Sequence, residues 1–132
     1  MISEIIINIS LKDKPMKIRT VVFSLIFLAL LSSFTMHVLK TSLKVTVRND
    51  LGNLESEASV SLYKTKEDYE KSINPVDTQV TDEKGNAVFG NLESVTYYIS
   101  AEKGDKNNFG AGEKTEKLVE NRQNKVTIII SE

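Results

Sequence analysis

The residues best suited to chemistry lie in one polar stretch, "DKNNFGAGEKTE", at positions 105–116. Four of its positions match the calcium-loop pattern D-x-[DN]-x-[DN]-G-x₅-E: Asp105, Asn107, Gly110 and Glu116. Phe109 stands where that pattern has an oxygen ligand, and Gly112 replaces its usual apolar residue. Because Ca²⁺ takes about six to eight oxygen ligands, two interpretations stay open. The three oxygen-bearing members of the set are a candidate Ca²⁺ site, or the stretch is a hydrated surface loop.

Thiol and imidazole chemistry have no carriers in the predicted domain. The chain contains no cysteine, and its only histidine, His37, lies beside the apolar N-terminal segment. Thiol nucleophiles, imidazole bases and most zinc sites are therefore excluded from the domain. Neighbouring carboxylates such as Glu55 with Glu57 are typical of solvated turns. We expect a domain that is not an enzyme and that needs no cofactor.

The N-terminal segment has the composition of an export signal. Residues 21–31, "VVFSLIFLALL", contain no charge, follow Lys17 and Arg19, and precede two serines. This is the layout of a secretory signal peptide. The apolar run reaches the roughly 20 residues of a membrane span only if it is extended to residue 38. We therefore predict a cleaved signal peptide, with an uncleaved anchor that enters the membrane through residues 21–38 as the alternative.

This layout divides the chain into three segments. Residues 1–15 carry acids ahead of the basic pair, whereas Met16 opens a better signal, so residues 1–15 are predicted to be untranslated or disordered. Residues 16–41 are the signal peptide or anchor, and residues 42–132 are the domain.

The predicted domain carries a net negative charge. From Ser42 onward there are 12 Lys and Arg against 16 Asp and Glu. This negative charge argues against nucleic acid as a partner.

Short strands must position the polar loops of the domain. Alternation of apolar and polar residues predicts strands that are buried on one face. The inward residues expected on the first, second and last strands are Leu43, Val45, Val47, Ala58, Val60, Leu62, Val126, Ile128 and Ile130. Thr65 with Asp68 three positions on resembles a capping box, which predicts one or two helical turns between strands. At residues 81–86 we expect a turn in which Asp82 accepts backbone N–H bonds and Gly85 has a positive φ.

The second half of the domain holds a tyrosine pair and a long polar connection. Neighbouring strand residues face opposite sides, so we expect Tyr97 to point inward and Tyr98 outward. Residues 114–131 are expected to close the domain as an antiparallel hairpin around the turn "ENRQN". The result is an all-β sandwich of about seven antiparallel strands, preceded by the hydrophobic export helix.

Two stretches, "LKVTVRNDLGNLESEASVSLYKT" and "TQVTDEKGNAVFGNLESVTYYISAEKG", carry a resemblance to a known fold. They are similar to the prealbumin-like sandwich domains of bacterial surface and exported proteins, the carboxypeptidase-regulatory-like and collagen-adhesin B-type families. The positions that fit are Asp50, Gly52, Ala58, Thr81, Asp82, Gly85, Phe89, Leu92 and Tyr98. The resemblance covers residues 43–104 and implies an Ig-like sandwich, with little information about function.

Some collagen-adhesin B-type domains carry an isopeptide bond between a first-strand lysine and a last-strand asparagine, assisted by an acid. The matching first-strand position here is Arg48, whose guanidinium stays protonated and is a poor nucleophile. The terminal stretch "VTIIISE" offers no asparagine, although an acid stands at Glu102. We therefore expect no internal cross-link.

Together these features predict an exported, non-catalytic β-sandwich module with a binding or structural role at the cell envelope. Its location is the periplasm, the cell surface or the medium, and its partner is an envelope protein or glycan. The alternative is an envelope accessory subunit that is anchored and assembled through an uncleaved N-terminal helix. Tyrosine is favoured at interfaces, and the candidate binding residues are those expected at the surface: Tyr98, Lys106, Asn107, Asn108 and Phe109.

Overall fold

The chain divides into a helical and a sandwich unit. The computed structural model describes residues 18–30, 39–111 and 114–132. Residues 18–30 form helix α1, and the chain divides into two units between residues 37 and 38, with α1 in the first. Across the described ranges, no helix combines the length and the apolar character needed to cross a membrane. The predicted start at Met16 lies outside the described residues.

The second unit is a β-sandwich with one short helix. In chain order its elements are β1 (Ser42–Asn49), β2 (Ser59–Tyr63), α2 (Lys66–Lys71), β3 (Asp77–Val80), β4 (Asn86–Phe89), β5 (Tyr98–Lys103), β6 (Lys106–Asn107) and β7 (Gln123–Ile130). One sheet has the strand order β4-β1-β7, and the other has the order β3-β2-β5-β6. The predicted all-β sandwich is therefore confirmed, and its strand number agrees with the prediction.

Alternation along the strands turns one face of each sheet into a common core. Leu43, Val45 and Val47 of β1 are buried, and the residues between them are partly exposed. The predicted inward residues of β2 and the last strand are also in the core, with Val126 only partly buried at its edge. Removal of these apolar side chains from water is the main force that holds the two sheets together.

The end of the chain contradicts the predicted antiparallel hairpin. β7 runs parallel to β1 along all eight of its residues. The preceding segment, residues 115–119, forms no strand. It leaves the sheet of β5, where Lys114 bridges Tyr98, and crosses to the sheet of β7, burying Leu118 in the core on the way. The hairpin prediction was wrong because this segment connects two sheets, and the sandwich is mixed rather than purely antiparallel.

The register of β7 also separates the positions that could form a cross-link. β7 begins earlier than expected and so includes Asn124, which lies beside Leu43. Ile129 lies beside Arg48 near the other end of β1. The Arg48 guanidinium donates a hydrogen bond of 2.7 Å to the Gly52 carbonyl. The absence of a cross-link stays a prediction, and the register gives it a geometric reason.

The turn between β3 and β4 has the predicted chemistry. The Asp82 carboxylate accepts the N–H groups of Asn86 and Lys84 at 3.0 and 2.9 Å, and the bond from Asn86 is the main cause that lowers the pKa of Asp82. Gly85 has a φ of +71°, and a Cβ added there would lie 2.8 Å from the Val47 carbonyl oxygen. The Gly85 carbonyl accepts the Val47 N–H at 2.8 Å. This glycine is thus required both by its backbone conformation and by its contact with β1.

Candidate ligand-binding groove

Helix α2 forms because local groups satisfy both of its ends. The Thr65 hydroxyl accepts the Asp68 N–H at 3.1 Å, and acidic residues in the first turn favour the helix dipole. Ser72 ends the helix in the left-handed region, with a φ of 52°. The predicted helical insertion is confirmed. α2 packs against β2 and β5, and the residue it buries is Tyr69.

Tyr69 is the centre of an aromatic cluster. Its ring centroid lies 6.0 Å from that of Tyr63, in an edge-on arrangement. The rings of Tyr98 and Phe109 each lie 5.9 Å from Tyr69, at interplanar angles of 32° and 35°. These separations fall in the range of about 4.5–7 Å in which aromatic pairs attract one another. The cluster therefore joins α2, β2, β5 and the loop after β6.

Three rings of this cluster line an open groove of about 400 Å³, which we call the aromatic groove. Its lining residues are Lys66, Tyr69, Glu70, Tyr98, Phe109, Gly110 and Lys114. The Phe109 side chain is held 50% exposed by its own loop. The Asn107 carbonyl oxygen Oδ1 accepts the Phe109 N–H at 3.0 Å, and Gly110 turns the chain with a φ of 79°. The volume is typical of small-ligand sites, which span about 300–1,000 Å³.

Charged side chains stand at the rim of the aromatic groove. The Lys114 Nζ lies 5.9 Å from the centroid of the Tyr98 ring, near the outer limit of about 6 Å for a cation–π contact. The Lys66 Nζ and the Glu70 Oε1 are 3.6 Å apart, and both side chains are highly exposed. An exposed pair of this kind contributes little to stability. The groove therefore offers apolar ring faces together with hydrogen-bonding groups that a ligand can use.

Two of the predicted binding residues, Tyr98 and Phe109, line this groove together. Tyr97 is 1% exposed and points inward, whereas Tyr98 is only partly buried, as predicted. Asn107 supports the groove indirectly, through its bond to the Phe109 backbone. The placement of these residues is known from the structure, and their role in binding stays a prediction.

Asn108 lies inside the domain, so its predicted position at the surface was wrong. The residue is 2% exposed. Its Oδ1 accepts the Ala101 N–H at 2.9 Å, and its Nδ2 donates to the Ile99 carbonyl at 2.8 Å. The amide thus takes the place of a strand backbone beside β5 where β6 has ended. Burial is tolerated because the bonds satisfy both ends of the side chain.

Lys106 belongs to a different cluster, centred on Glu55. Glu55 is buried, and its carboxylate lies 2.9 Å from the Lys103 Nζ, 3.5 Å from the Lys106 Nζ and 3.1 Å from the Asn49 Nδ2. The hydrogen bond from Lys103 is the main cause that lowers the pKa of Glu55. The expectation that Glu55 is a solvated turn residue was therefore wrong. Its carboxylate ties the segment before β2 to the β5–β6 hairpin.

The candidate Ca²⁺ ligands differ in whether their oxygen atoms are already hydrogen-bonded. Asp105 and Glu116 are exposed, and the Asn107 Oδ1 accepts the Phe109 N–H. In the part of the chain that the structure describes, no group of three or more Asp, Glu, His or Cys side chains is placed to hold a metal ion. Residues 112–113 of this stretch lie outside that part. Ca²⁺ binding by these oxygens stays a prediction.

Four groove side chains were missed by sequence reasoning: Tyr69, Lys66, Glu70 and Lys114. A signal for Tyr69 was present, since a lone aromatic on a short capped helix must pack against the neighbouring sheet to hold that helix in place. The three charged residues gave no such signal. Their position at the rim depends on how α2 and the loop after β6 pack around β5.

No family model and no curated protein matches the chain. Among solved structures, the chain is similar to a streptococcal ancillary pilin, with 15% sequence identity and a TM-score of 0.54 over 72% of this chain and 33% of the pilin chain. It is also similar to BcpA, the major pilin subunit of Bacillus cereus, with 20% identity and a TM-score of 0.45 over 70% of this chain and 30% of that one. The chain thus spans about a third of the length of these pilins.

The likeness to the streptococcal pilin concerns the fold alone, because the identity is low. With two packed sheets, a mixed strand order and this likeness, the domain is an Ig-like, prealbumin-like β-sandwich. The resemblance seen in the sequence is therefore confirmed at the level of the fold.

Proposed function

We propose that this chain is an exported, non-catalytic β-sandwich module that binds a ligand at the cell envelope through the aromatic groove. One observation supports this most strongly. Three aromatic rings from separate elements converge on one open groove, and Phe109 is held half exposed there. Moving an aromatic ring out of water lowers the free energy of the system. A loop that holds such a ring exposed therefore leaves this stabilisation for a ligand to provide, which favours a role in binding.

Export is supported by the uncharged apolar residues 21–31 and the basic residues before them. On this basis we assign residues 16–41 to the signal peptide or anchor and residues 42–132 to the domain. The domain then acts in the periplasm, at the cell surface or in the medium. Its partner is a protein or glycan of the envelope.

The resemblance supports a place among the carboxypeptidase-regulatory-like or collagen-adhesin B-type domains, because the turn with Asp82 and Gly85 has the expected geometry.

A non-catalytic role is supported by the structural bonds that the carboxylates make. Among the described residues, the two acids whose pKa is lowered, Glu55 and Asp82, are both engaged in bonds that hold loops in place. Acid–base chemistry needs such groups to face a substrate.

A second candidate function is that of an envelope accessory subunit anchored by an uncleaved N-terminal helix. It is favoured by the apolar side chains of α1, of which Phe23 and Phe27 are 74% and 66% exposed. Intact mass and cell fractionation of protein from its native host distinguish the two. A mature N-terminus between Ser33 and Ser42 supports the exported module, and a membrane-bound species that retains residues 21–31 supports the anchored subunit.

Binding of the full-length chain to isolated envelopes of the producing cells tests the role of the groove. We expect Phe109→Ala to lower the affinity about tenfold, because the variant removes a ring that a ligand would cover. The matched control is Ile129→Ala, which truncates a 45% exposed side chain on β7. Both variants should remain folded, since each side chain is half exposed, and thermal unfolding checks this. Equal binding by Phe109→Ala and wild type would exclude the groove as the binding site.

A further inference from the structure

We propose that the aromatic groove binds an acidic glycan, with sugar rings packed against Tyr98 and Phe109 and an anionic substituent facing Lys114. This inference rests on the proposed function and names the class of ligand. Ring geometry, the hydrogen-bonding groups of the rim and the charge of the rim each support it.

Three aromatic rings line the groove. Tyr98 and Phe109 are tilted by 32° and 35° from the plane of Tyr69, and all three residues belong to the lining. The face of an aromatic ring carries partial negative charge and attracts weakly positive groups. The flat sides of a pyranose ring are covered by C–H groups of that kind. Sugar rings are therefore suited to pack against these aromatic side chains.

The rim of the groove suits hydroxyl groups. The Lys66 ammonium only donates hydrogen bonds and the Glu70 carboxylate only accepts them, and the two groups are 3.6 Å apart. One sugar hydroxyl can accept from the first and donate to the second, since its oxygen does both. A peptide backbone separates these functions between N–H and C=O, and extended peptides bind by adding to a free strand edge. This groove is lined by side chains, which favours a sugar over a peptide.

Charge favours an acidic glycan over a neutral one. Lys66 is matched by Glu70, so Lys114 is the unmatched charge in the described lining of the groove. Its Nζ lies over the Tyr98 ring, 5.9 Å from the ring centroid. A carboxylate or another anionic group on a sugar that packs beside Tyr98 would pair with this ammonium. The groove is therefore complementary to a negatively charged sugar.

Isothermal titration of the full 132-residue chain, with nonionic micelles in every arm, compares three probes. A galacturonic acid hexasaccharide carries rings and charge, its methyl-esterified form carries the rings alone, and hexaglutamate carries charge alone. We expect the acidic sugar to bind about 2–5-fold more tightly than the ester, as for one exposed ion pair, and hexaglutamate to give no measurable heat. Phe109→Ala should weaken both sugars about tenfold. Lys114→Gln should weaken only the acidic one, and the control Lys125→Gln on β7 should change neither.

Each contrary outcome overturns a defined part of the proposal. Hexaglutamate that binds as tightly as the acidic sugar would show a general polyanion site. Equal affinity for acid and ester, or an equal loss in Lys114→Gln and Lys125→Gln, would refute the role of charge. If no sugar binds while envelope binding still falls in Phe109→Ala, the glycan class is wrong and the proposed function stands. If envelope binding is also insensitive to Phe109→Ala, both are wrong.

Discussion

Replacement of Gly85 by alanine tests whether the turn before β4 is fixed by its backbone conformation alone or also by its contact with β1. A Cβ at this position would lie 2.8 Å from the Val47 carbonyl oxygen and 3.2 Å from the Glu55 N. These atoms have little freedom to move. The Val47 carbonyl accepts the Glu55 N–H at 2.9 Å, and the Val47 N–H donates to the Gly85 carbonyl at 2.8 Å. The added methyl group therefore strains a closed set of backbone hydrogen bonds.

The expected loss of stability has two parts. An L-residue at a φ of +71° costs roughly 1–2 kcal/mol, and an overpacked contact costs about 1–3 kcal/mol more. A total of about 3 kcal/mol corresponds to a fall in melting temperature of roughly 12–24 °C for a domain of this size. Gly52 supplies a matched control, because its φ is +85° and nothing lies within 4 Å of an added Cβ. Gly52→Ala should lose only the first part, about 1–2 kcal/mol.

Thermal and urea unfolding of the full-length variants, followed by circular dichroism, measure this difference. The m-values in urea should match that of the wild type, since the surface exposed on unfolding is unchanged. Equal destabilisation by Gly85→Ala and Gly52→Ala would refute the reasoning. The contact with β1 would then contribute nothing beyond the backbone conformation.

Three further substitutions test buried polar groups, each by urea unfolding. Asn108→Ala should lower the unfolding free energy by about 3 kcal/mol, because two buried backbone groups of β5 lose their partner; a loss below about 1 kcal/mol would contradict this. Tyr97→Phe should cost about 1 kcal/mol, because the Glu93 N–H loses its bond of 3.0 Å to the tyrosine hydroxyl; an unchanged stability would contradict it. The folded-state pKa of Glu55 is lowered by Lys103, so its stabilising effect is present above the unfolded pKa and lost as pH falls through the folded one. Glu55→Gln should therefore flatten the loss of stability below about pH 4.3, and an unchanged acid limb would contradict it.

Strand positions and the helix were predictable because local patterns determine them. The alternation of Leu43, Val45 and Val47 follows from the two-residue period of a strand, and the Thr65 cap follows from hydrogen bonding within one turn of helix. The direction of β7 was not predictable in this way. It depends on where Leu118 finds its place in the core, and such a contact between distant segments leaves no local pattern.

The candidate site was predictable only in part. Tyr98 and Phe109 could be named from their residue types, but the ring that joins them, Tyr69, comes from a helix that packs from another part of the chain. Asn108 and Glu55 were misjudged for one shared reason. Polar residues are usually exposed, and the exceptions depend on partners in space, such as the Ile99 carbonyl for Asn108 and the Lys103 ammonium for Glu55.

The parallel pairing of β1 with β7 also determines how the domain responds to mechanical tension. The chain enters β1 at Ser42 and leaves β7 after Ile130, and the ladder places these two points at opposite ends, since Ser42 pairs with Gln123 and Ile130 with Asn49. A pull on the two ends therefore slides the strands past each other instead of peeling them apart. In this shear geometry the hydrogen bonds of the ladder share the load and must break together. Forced unfolding is governed by the barrier to that event, so resistance to stretching depends on the direction of one strand pair, independently of how much apolar surface the core buries.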